Sequence, residues 1–313
     1  MPVYRIELTL KGSLGTDLLS GTVWGHLAWA LRYLEGEAAL MDWLQDQVSR
    51  PWLLSSRMPV GMLPRPILKP VLRKTVRPSL KEMELEKRAK GLAYIPETVF
   101  QLLRNEMSDE ALSDVLKRGM GKWRIKESLP RKGINSHNTI DRLSGTTPDV
   151  GGLFFEAVFY PGEDTKLQIF LHTPDPCLDR IEALFAFVGE NGFGSNSSTG
   201  NGNFTCEVKE ESTLFSAKGN RAMSLSHGVI TESMKDARYK QHVHFGKLGG
   251  DYAKGSYSPF KYPILMARPG ATFQPEGNGP FGKLLDAVHH DPELKKIRHH
   301  AFHLPLYYTE VQS

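Results

Sequence analysis

Cysteine is nearly absent from this chain. Cys177 and Cys206 are the only two in 313 residues, which excludes a disulfide framework and any thiolate zinc site built on paired cysteines. The expectation is a reduced, cytoplasmic protein. No apolar run approaches the roughly 18 residues that a membrane-spanning helix needs, so no membrane association is expected. The opening Val3-Tyr4-Arg5-Ile6-Glu7-Leu8 carries charges inside its apolar alternation and reads as a strand, not as a secretory leader. Charge of one sign is lacking too. A net charge of +4 excludes a chain coated in basic residues but leaves room for a basic groove. His289-His290 and His299-His300-x-x-His303 have neither a nearby cysteine nor the glutamate of a zinc-hydrolase motif. Solvated or core-filling roles are expected for them, and neither a metal nor a cofactor is expected.

What is present is a dense glycine loop. Gly189-Glu190-Asn191-Gly192-Phe193-Gly194-Ser195-Asn196-Ser197-Ser198-Thr199-Gly200-Asn201-Gly202-Asn203-Phe204 mixes glycine with small hydroxyl and amide side chains. Glycine permits left-handed backbone and close approach of a ligand. Successive N–H groups in such a loop can converge on an anion. The composition suits a phosphate or a nucleic-acid backbone; the plainer alternative is a surface loop without a ligand. A Walker loop would end in Gly-Lys-Ser/Thr, and no lysine lies here. That absence speaks against an unrelated nucleotide-binding enzyme. A Rossmann loop would run from strand to helix. Here the helix-like Ile181–Val188 run precedes the loop, and the alternating Phe204–Val208 segment follows it as a strand.

The coarse order of elements is mixed. Tyr4, Ile6, Leu8 and Leu10 alternate on one face of a first strand. Leu27, Ala30, Leu31 and Leu34 recur at helical spacing after it, and a second helix is expected over Glu37–Val48. From about Pro51 to Pro78 the chain is rich in proline, with Arg65, Lys69, Arg73, Lys74 and Arg77 between Pro64 and Pro78 and no acid among them. Polar helices are expected over Glu82–Lys90 and Pro96–Lys117. Residues 60–135 have too few apolar side chains for a core of their own and read as a basic excursion. Gly152–Tyr160 and Lys166–Leu171 read as two strands paired through a turn at Pro161-Gly162, followed by a helix over Leu178–Val188. Beyond Glu210 the pattern weakens, with candidate strands at Met223–Ser226, Pro263–Ala267 and Leu304–Tyr308 and a loop-like Gly270–Gly282.

Other candidate residues lie outside the loop. Asn138-Thr139-Ile140-Asp141-Arg142-Leu143-Ser144-Gly145-Thr146-Thr147 has turn chemistry. Its Arg142 can meet a phosphate with its planar fork or pair with Asp141 in a purely structural role. The basic stretches 65–77 and 117–132 would attract phosphates. Trp123, between Lys122 and Arg124, can stack on an unpaired base or fill a core. His26 and His137 could act as acid or base in RNA cleavage, although each stands apart from other histidines and packing alone explains them.

These pieces, in this order, resemble the RAMP superfamily of CRISPR RNA-binding proteins. The G-F-G-x-x-x-S-T-G-x-G-x-F spelling of Gly192–Phe204 is similar to that of the handle-binding subunit of type III-A effectors, the fourth subunit of the Csm complex, on the Cas-five-like branch. Leu19–Ala30 resembles the family's first helix, Asn138–Thr147 its N-x-I-D-R-x-[ST]-G motif, and Gly152–Phe155 the strand that follows. The likeness spans most of residues 1–210. It implies an α+β fold of two ferredoxin-like (RRM-like) units: one over 1–150 with a basic insertion at about 60–135, the other over 151–313 carrying the glycine loop 189–203. It implies a non-catalytic subunit that grips the 5′ repeat-derived handle of a CRISPR guide RNA and docks a large Cas-ten-type subunit and a Cas-seven-type backbone subunit. The alternative within the superfamily is an endoribonuclease that processes precursor RNA through His26 or His137. The expected RNA contacts are Gly192, Gly194, Ser195, Asn196, Ser197, Ser198, Thr199, Gly200, Gly202 and Asn203 in the loop, Asn138 and Arg142 mid-chain, Ser20 at the first helix, and Arg73, Lys74, Arg77, Trp123 and Arg124 in the basic stretches.

Overall fold

The alternation of Val3–Leu10 is expressed as the middle of a five-stranded antiparallel sheet. On one side it pairs with Lys166–His172, on the other with Phe204–Glu210, so that Ile6 lies opposite both Ile169 and Val208. Two short strands, Leu53–Leu54 and Met58–Pro59, both pair along the outer edge of Lys166–His172. The computed structural model describes residues 2–70, 79–119, 129–162, 165–254 and 258–311. Arg73, Lys74, Arg77, Trp123 and Arg124 lie outside the described residues.

Two helices, Ser20–Glu35 and Leu178–Asn191, cover one face of this sheet. Each follows a strand, which gives the order strand, helix, strand, strand, helix, strand. The helical spacing puts Val23, Leu27 and Leu31 from the first helix and Ile181, Leu184 and Phe185 from the second onto Tyr4, Ile6 and Leu8. Gly192 ends the second helix with φ +83°, a conformation that hands the chain directly to the glycine loop.

The opposite face is not left open. Arg5 projects from it and is held by Glu97, Glu211 and Gln168 at 2.7–3.1 Å. Phe170 enters a second core that joins the insertion to the C-terminal strands: Leu63, Ile95, Phe100, Leu112 and Leu116 meet Met223, Leu304, Leu306 and Tyr308. The insertion folds as a strand pair, Met62–Pro64 with Tyr94–Pro96, and the helices Leu80–Lys90, Glu97–Leu103 and Asp109–Arg118. Ser79 and Glu82 form a capping box on the first of these, and Ser108 caps the last. The sparse apolar residues of 60–135 are thus enough, because their core is shared.

One strand pairing is corrected by this arrangement. Leu153–Tyr160 does not pair with Lys166–His172; it pairs over eight positions with Arg131–Asn138 as a projecting hairpin. The physical reason is burial. Lys166–His172 is buried on both faces and needs neighbours inside the sheet, whereas Leu153, Phe154 and Phe155 stay exposed. The first sheet takes strands from both sides of residue 150. Beyond Glu210 the described residues contain no α-helix. They form a four-stranded sheet of Met234–Arg238, Thr272–Pro275, Arg221–Ser224 and Pro305–Tyr308, with the pairs Gln241–His244/Ile264–Ala267 and Phe281–Leu285/His299–His303 beside it. The α+β class itself holds.

Candidate nucleic-acid interface

The glycine loop is fastened from below by a second small-residue loop, Lys11–Asp17. Lys11 N–H donates to Asn203 O at 2.8 Å, Gly202 N–H to Ser13 O at 2.7 Å, and the Ser13 hydroxyl to Asn201 Oδ1 at 2.8 Å. Thr16 Oγ1 accepts from Ser195 N–H at 3.0 Å. His26 Nε2, on the first helix, accepts from Gly194 N–H at 3.2 Å, while its ring lies 4.2 Å from that of Phe193. Asn203 Nδ2 donates to the carbonyls of Gly189 and Glu190 at 3.1 and 2.9 Å, which closes the base of the loop.

This fastening splits the loop into two sets. Gly192 and Gly202 are buried, and Gly194, Ser195, Ser197 and Asn203 are half-buried. Gly202 has φ +77°, and a methyl there would run into the backbone of Phe193. Asn196, Ser198, Thr199 and Gly200 are exposed. At Gly200, φ is +91° but nothing lies within 4 Å of a would-be methyl. Ser197–Thr199 forms a single 3-10 turn begun by Asn196 in the left-handed region. Among the described residues, the N–H groups of Asn196, Ser197 and Ser198 have no acceptor, whereas those of Thr199, Gly200, Asn201 and Gly202 are bonded within the two loops. The outward surface is therefore three adjacent backbone donors with small hydroxyls around them, an arrangement that suits an anionic oxygen.

The hairpin meets the loop at one residue. Glu156 accepts a short hydrogen bond from Asn196 Nδ2 and lies 3.6 Å from His137 Nε2. Leu14, in the fastening loop, bridges to Phe159. Asn138 pairs opposite Leu153 at the far end of the hairpin, and the Asn138–Thr147 segment forms its tip. Asp141 organises that tip: its Oδ1 accepts from Leu143 N–H at 2.8 Å, and its backbone pairs with Thr146 and Gly145. Since Asp141 is committed to the backbone, Arg142 is left exposed, with no carboxylate partner among the described residues. Both Asn138 and Arg142 are solvent-facing and on the same projection as the residue that touches Asn196.

Ser20 is placed elsewhere. It is fully buried, its hydroxyl donates to His227 O at 3.0 Å and accepts from His227 N–H at 3.1 Å, and its own N–H donates to Ser56 Oγ. Its side chain ties the first helix to the C-terminal part and has no free group to offer RNA. His26 is held neutral, its pKa pushed down to about 4 by burial. With Nε2 already accepting from Gly194, the ring acts as a prop for the loop. His137 stacks on Phe154 at 5.0 Å on the exposed hairpin. His289, His299, His300 and His303 are buried and core-filling, and no group of three or more metal-binding side chains is found among the described residues. No helix there is long and apolar enough to cross a membrane.

Sequence reading missed Thr16, Ser13, His26 as a support, and Glu156. The available signal was the Gly12-Ser13-Leu14-Gly15-Thr16 run. A methyl on Gly12 would come within 2.9 Å of Gly200 O, and one on Gly15 would overlap Ser195, so this segment has to be small for the two loops to nest.

No family model matches the chain, and no curated protein matches it. Solved structures do. A chain of the Csm1–Csm4 cassette crystallised with cA4 is similar at 14% identity and a TM-score of 0.61, with 100% of each chain covered. A chain of the cassette with AMPPNP gives 16% identity and a TM-score of 0.60, again over 100% of both. A chain of the Csm3–Csm4 subcomplex of a type III-A CRISPR-Cas interference complex gives 13% identity and a TM-score of 0.61, over 98% of this chain and 99% of that one. The chain shares their fold. Csm4 is the subunit common to these assemblies, and the likeness extends over the whole length, including the C-terminal strands where the sequence pattern fades.

Proposed function

We propose that this chain is the Csm4-like RNA-binding subunit of a type III CRISPR effector, holding the 5′ repeat-derived handle of the guide RNA without cutting it. In this reading the first sheet and its two helices are a ferredoxin-like unit whose glycine loop points at the RNA. The observation that carries it is the meeting of loop and hairpin at Glu156, which sets the exposed Asn196, Ser198, Thr199 and Gly200 beside the projection bearing Asn138 and Arg142. The unbonded N–H groups of Asn196–Ser198 would take a phosphate oxygen. The hydroxyls of Ser198 and Thr199 would add donors, and the Arg142 fork a charge-assisted pair. Gly200 has no side chain to hold the strand away.

Docking of a large Cas-ten-type subunit and a Cas-seven-type backbone subunit belongs to the same reading, supported by the presence of Csm1 or Csm3 in the assemblies that share the fold. Fluorescence anisotropy with labelled single-stranded repeat RNA tests the grip. The double variant Ser198→Ala, Thr199→Ala and the single variant Arg142→Ala should each weaken binding with unchanged circular dichroism. Unchanged affinity in both would remove the loop and hairpin as the grip.

One observation favours the endoribonuclease reading: half-buried His137 and Glu156 lie 3.6 Å apart where hairpin and loop meet, a spacing that suits an acid–base pair. Repeat-specific cleavage of precursor RNA that disappears in His137→Ala would establish that reading instead.

A further inference from the structure

A cavity of about 520 Å³ opens between the insertion and the C-terminal strands. It begins at Asp17, one residue from the Thr16 that supports the glycine loop. Its lining is strongly biased in charge. Arg57, Arg65, Lys90, Lys240 and Arg268 face it, against only Asp17 and Asp109. Some of that charge is already matched: Arg57 pairs with Asp17 at 2.5 Å, Arg65 lies 3.9 Å from Asp109, and Lys90 bonds Glu86 at 2.8 Å. Lys240 and Arg268 are exposed at the rim and have no carboxylate partner among the described residues. Deeper in, Arg57 Nη1 and Arg65 Nε are buried donors without an acceptor.

Apart from Ser56 and His227, the remaining wall is apolar. Pro64, Pro66, Ile67 and Tyr94 line it. Volumes of about 300–1,000 Å³, with an apolar wall and a few convergent polar groups, are those of small-molecule sites. Guanidinium forks match phosphate geometry, and an aromatic face accepts a base by stacking. An anion alone would not need the apolar wall, and an apolar ligand would not tolerate the surplus cations.

We propose that this cavity binds a single phosphorylated nucleotide, either free or as the unpaired end unit of an RNA strand. The RNA source rests on the RNA-binding reading above; the free-nucleotide source does not. Calorimetric titration of the full chain with AMP, adenosine and inorganic phosphate tests the chemistry. AMP should bind at least about tenfold tighter than either part alone. Lys240→Ala with Arg268→Ala, both at the exposed rim, should weaken AMP about tenfold or more at unchanged melting temperature. Ala93→Phe, at an exposed lining position, should plug the cavity and abolish binding.

Competition of AMP with short RNAs that carry or lack a terminal phosphate then separates the sources. Displacement by the phosphorylated end only identifies an RNA end as the occupant, and no displacement identifies the free nucleotide. The Ser198→Ala, Thr199→Ala variant should bind AMP like wild type. An unaltered chain that binds AMP but no RNA would sink the RNA-subunit reading and leave this site standing. AMP binding no tighter than phosphate, or AMP binding by both cavity variants equal to wild type, overturns the proposal.

Discussion

Gly200 and Gly202 are two residues apart and differ completely in what they do. Gly202 is buried against the Phe193 backbone, so a side chain there damages the loop itself. Gly202→Val should lower the melting temperature as well as RNA affinity, an effect of about 1–3 kcal/mol from left-handed strain and backbone overlap. Gly200→Val meets no neighbour and should cost less stability while still standing in the way of an RNA backbone. Differential scanning calorimetry of the two single variants checks the contrast; equal melting temperatures would refute it. At His26, the Nε2 acceptor is the working atom. His26→Ala should destabilise the loop by leaving Gly194 N–H unmet, at about 1–3 kcal/mol, and should leave no cleavage activity to lose. A nuclease activity that vanishes with His26 would contradict the supporting role.

At the scale of elements, periodicity was informative where one face is buried and the other is not. Val3–Leu10, the first helix and the Leu178–Asn191 helix all follow their apolar spacing, because each packs one face on the first core. Strand pairing was not legible. Proximity through a short turn suggested that Leu153–Tyr160 and Lys166–His172 pair, but the partner of each was set by burial across the sheet, which a linear pattern does not encode. The strands Thr272–Pro275, Gln241–His244 and Phe281–Leu285 were equally hidden, being only four or five residues long. Of the candidate interface, the glycine loop and the Asn138–Thr147 turn were legible as irregular segments from composition. Their supports were not, because Thr16 and Ser195 are joined across 179 positions. The basic stretch between Pro64 and Pro78 belongs at this scale as well. Replacing Arg73, Lys74 and Arg77 by Ala should reduce the slope of log K against log salt by about 0.7 for each phosphate that these side chains neutralise. An unchanged slope would mean that they do not meet the RNA backbone.

For the whole molecule, the buried histidines set the response to acid. Burial lowers the pKa of His26, His244, His300 and His303 to about 4 and, with neighbouring histidines and Arg268 adding to it, that of His227 to about 3. In the unfolded chain the same groups titrate near 6.5. The unfolded state therefore binds more protons below that value, and stability is complete above about pH 6.5 and lost as pH falls toward 4. The melting temperature should be flat from pH 8 to 7 and drop steeply from 6 to 4; a maximum near pH 5 would contradict the buried neutral rings. The central claim concerns what the folded chain holds. Purifying it together with the products of its neighbouring genes and sequencing the RNA that remains bound tests this directly. The account predicts guide RNAs sharing one repeat-derived 5′ end, in a complex containing a large and a backbone subunit, with less RNA retained in the Ser198→Ala, Thr199→Ala variant. A preparation without RNA, or with RNA of unrelated ends, would contradict it.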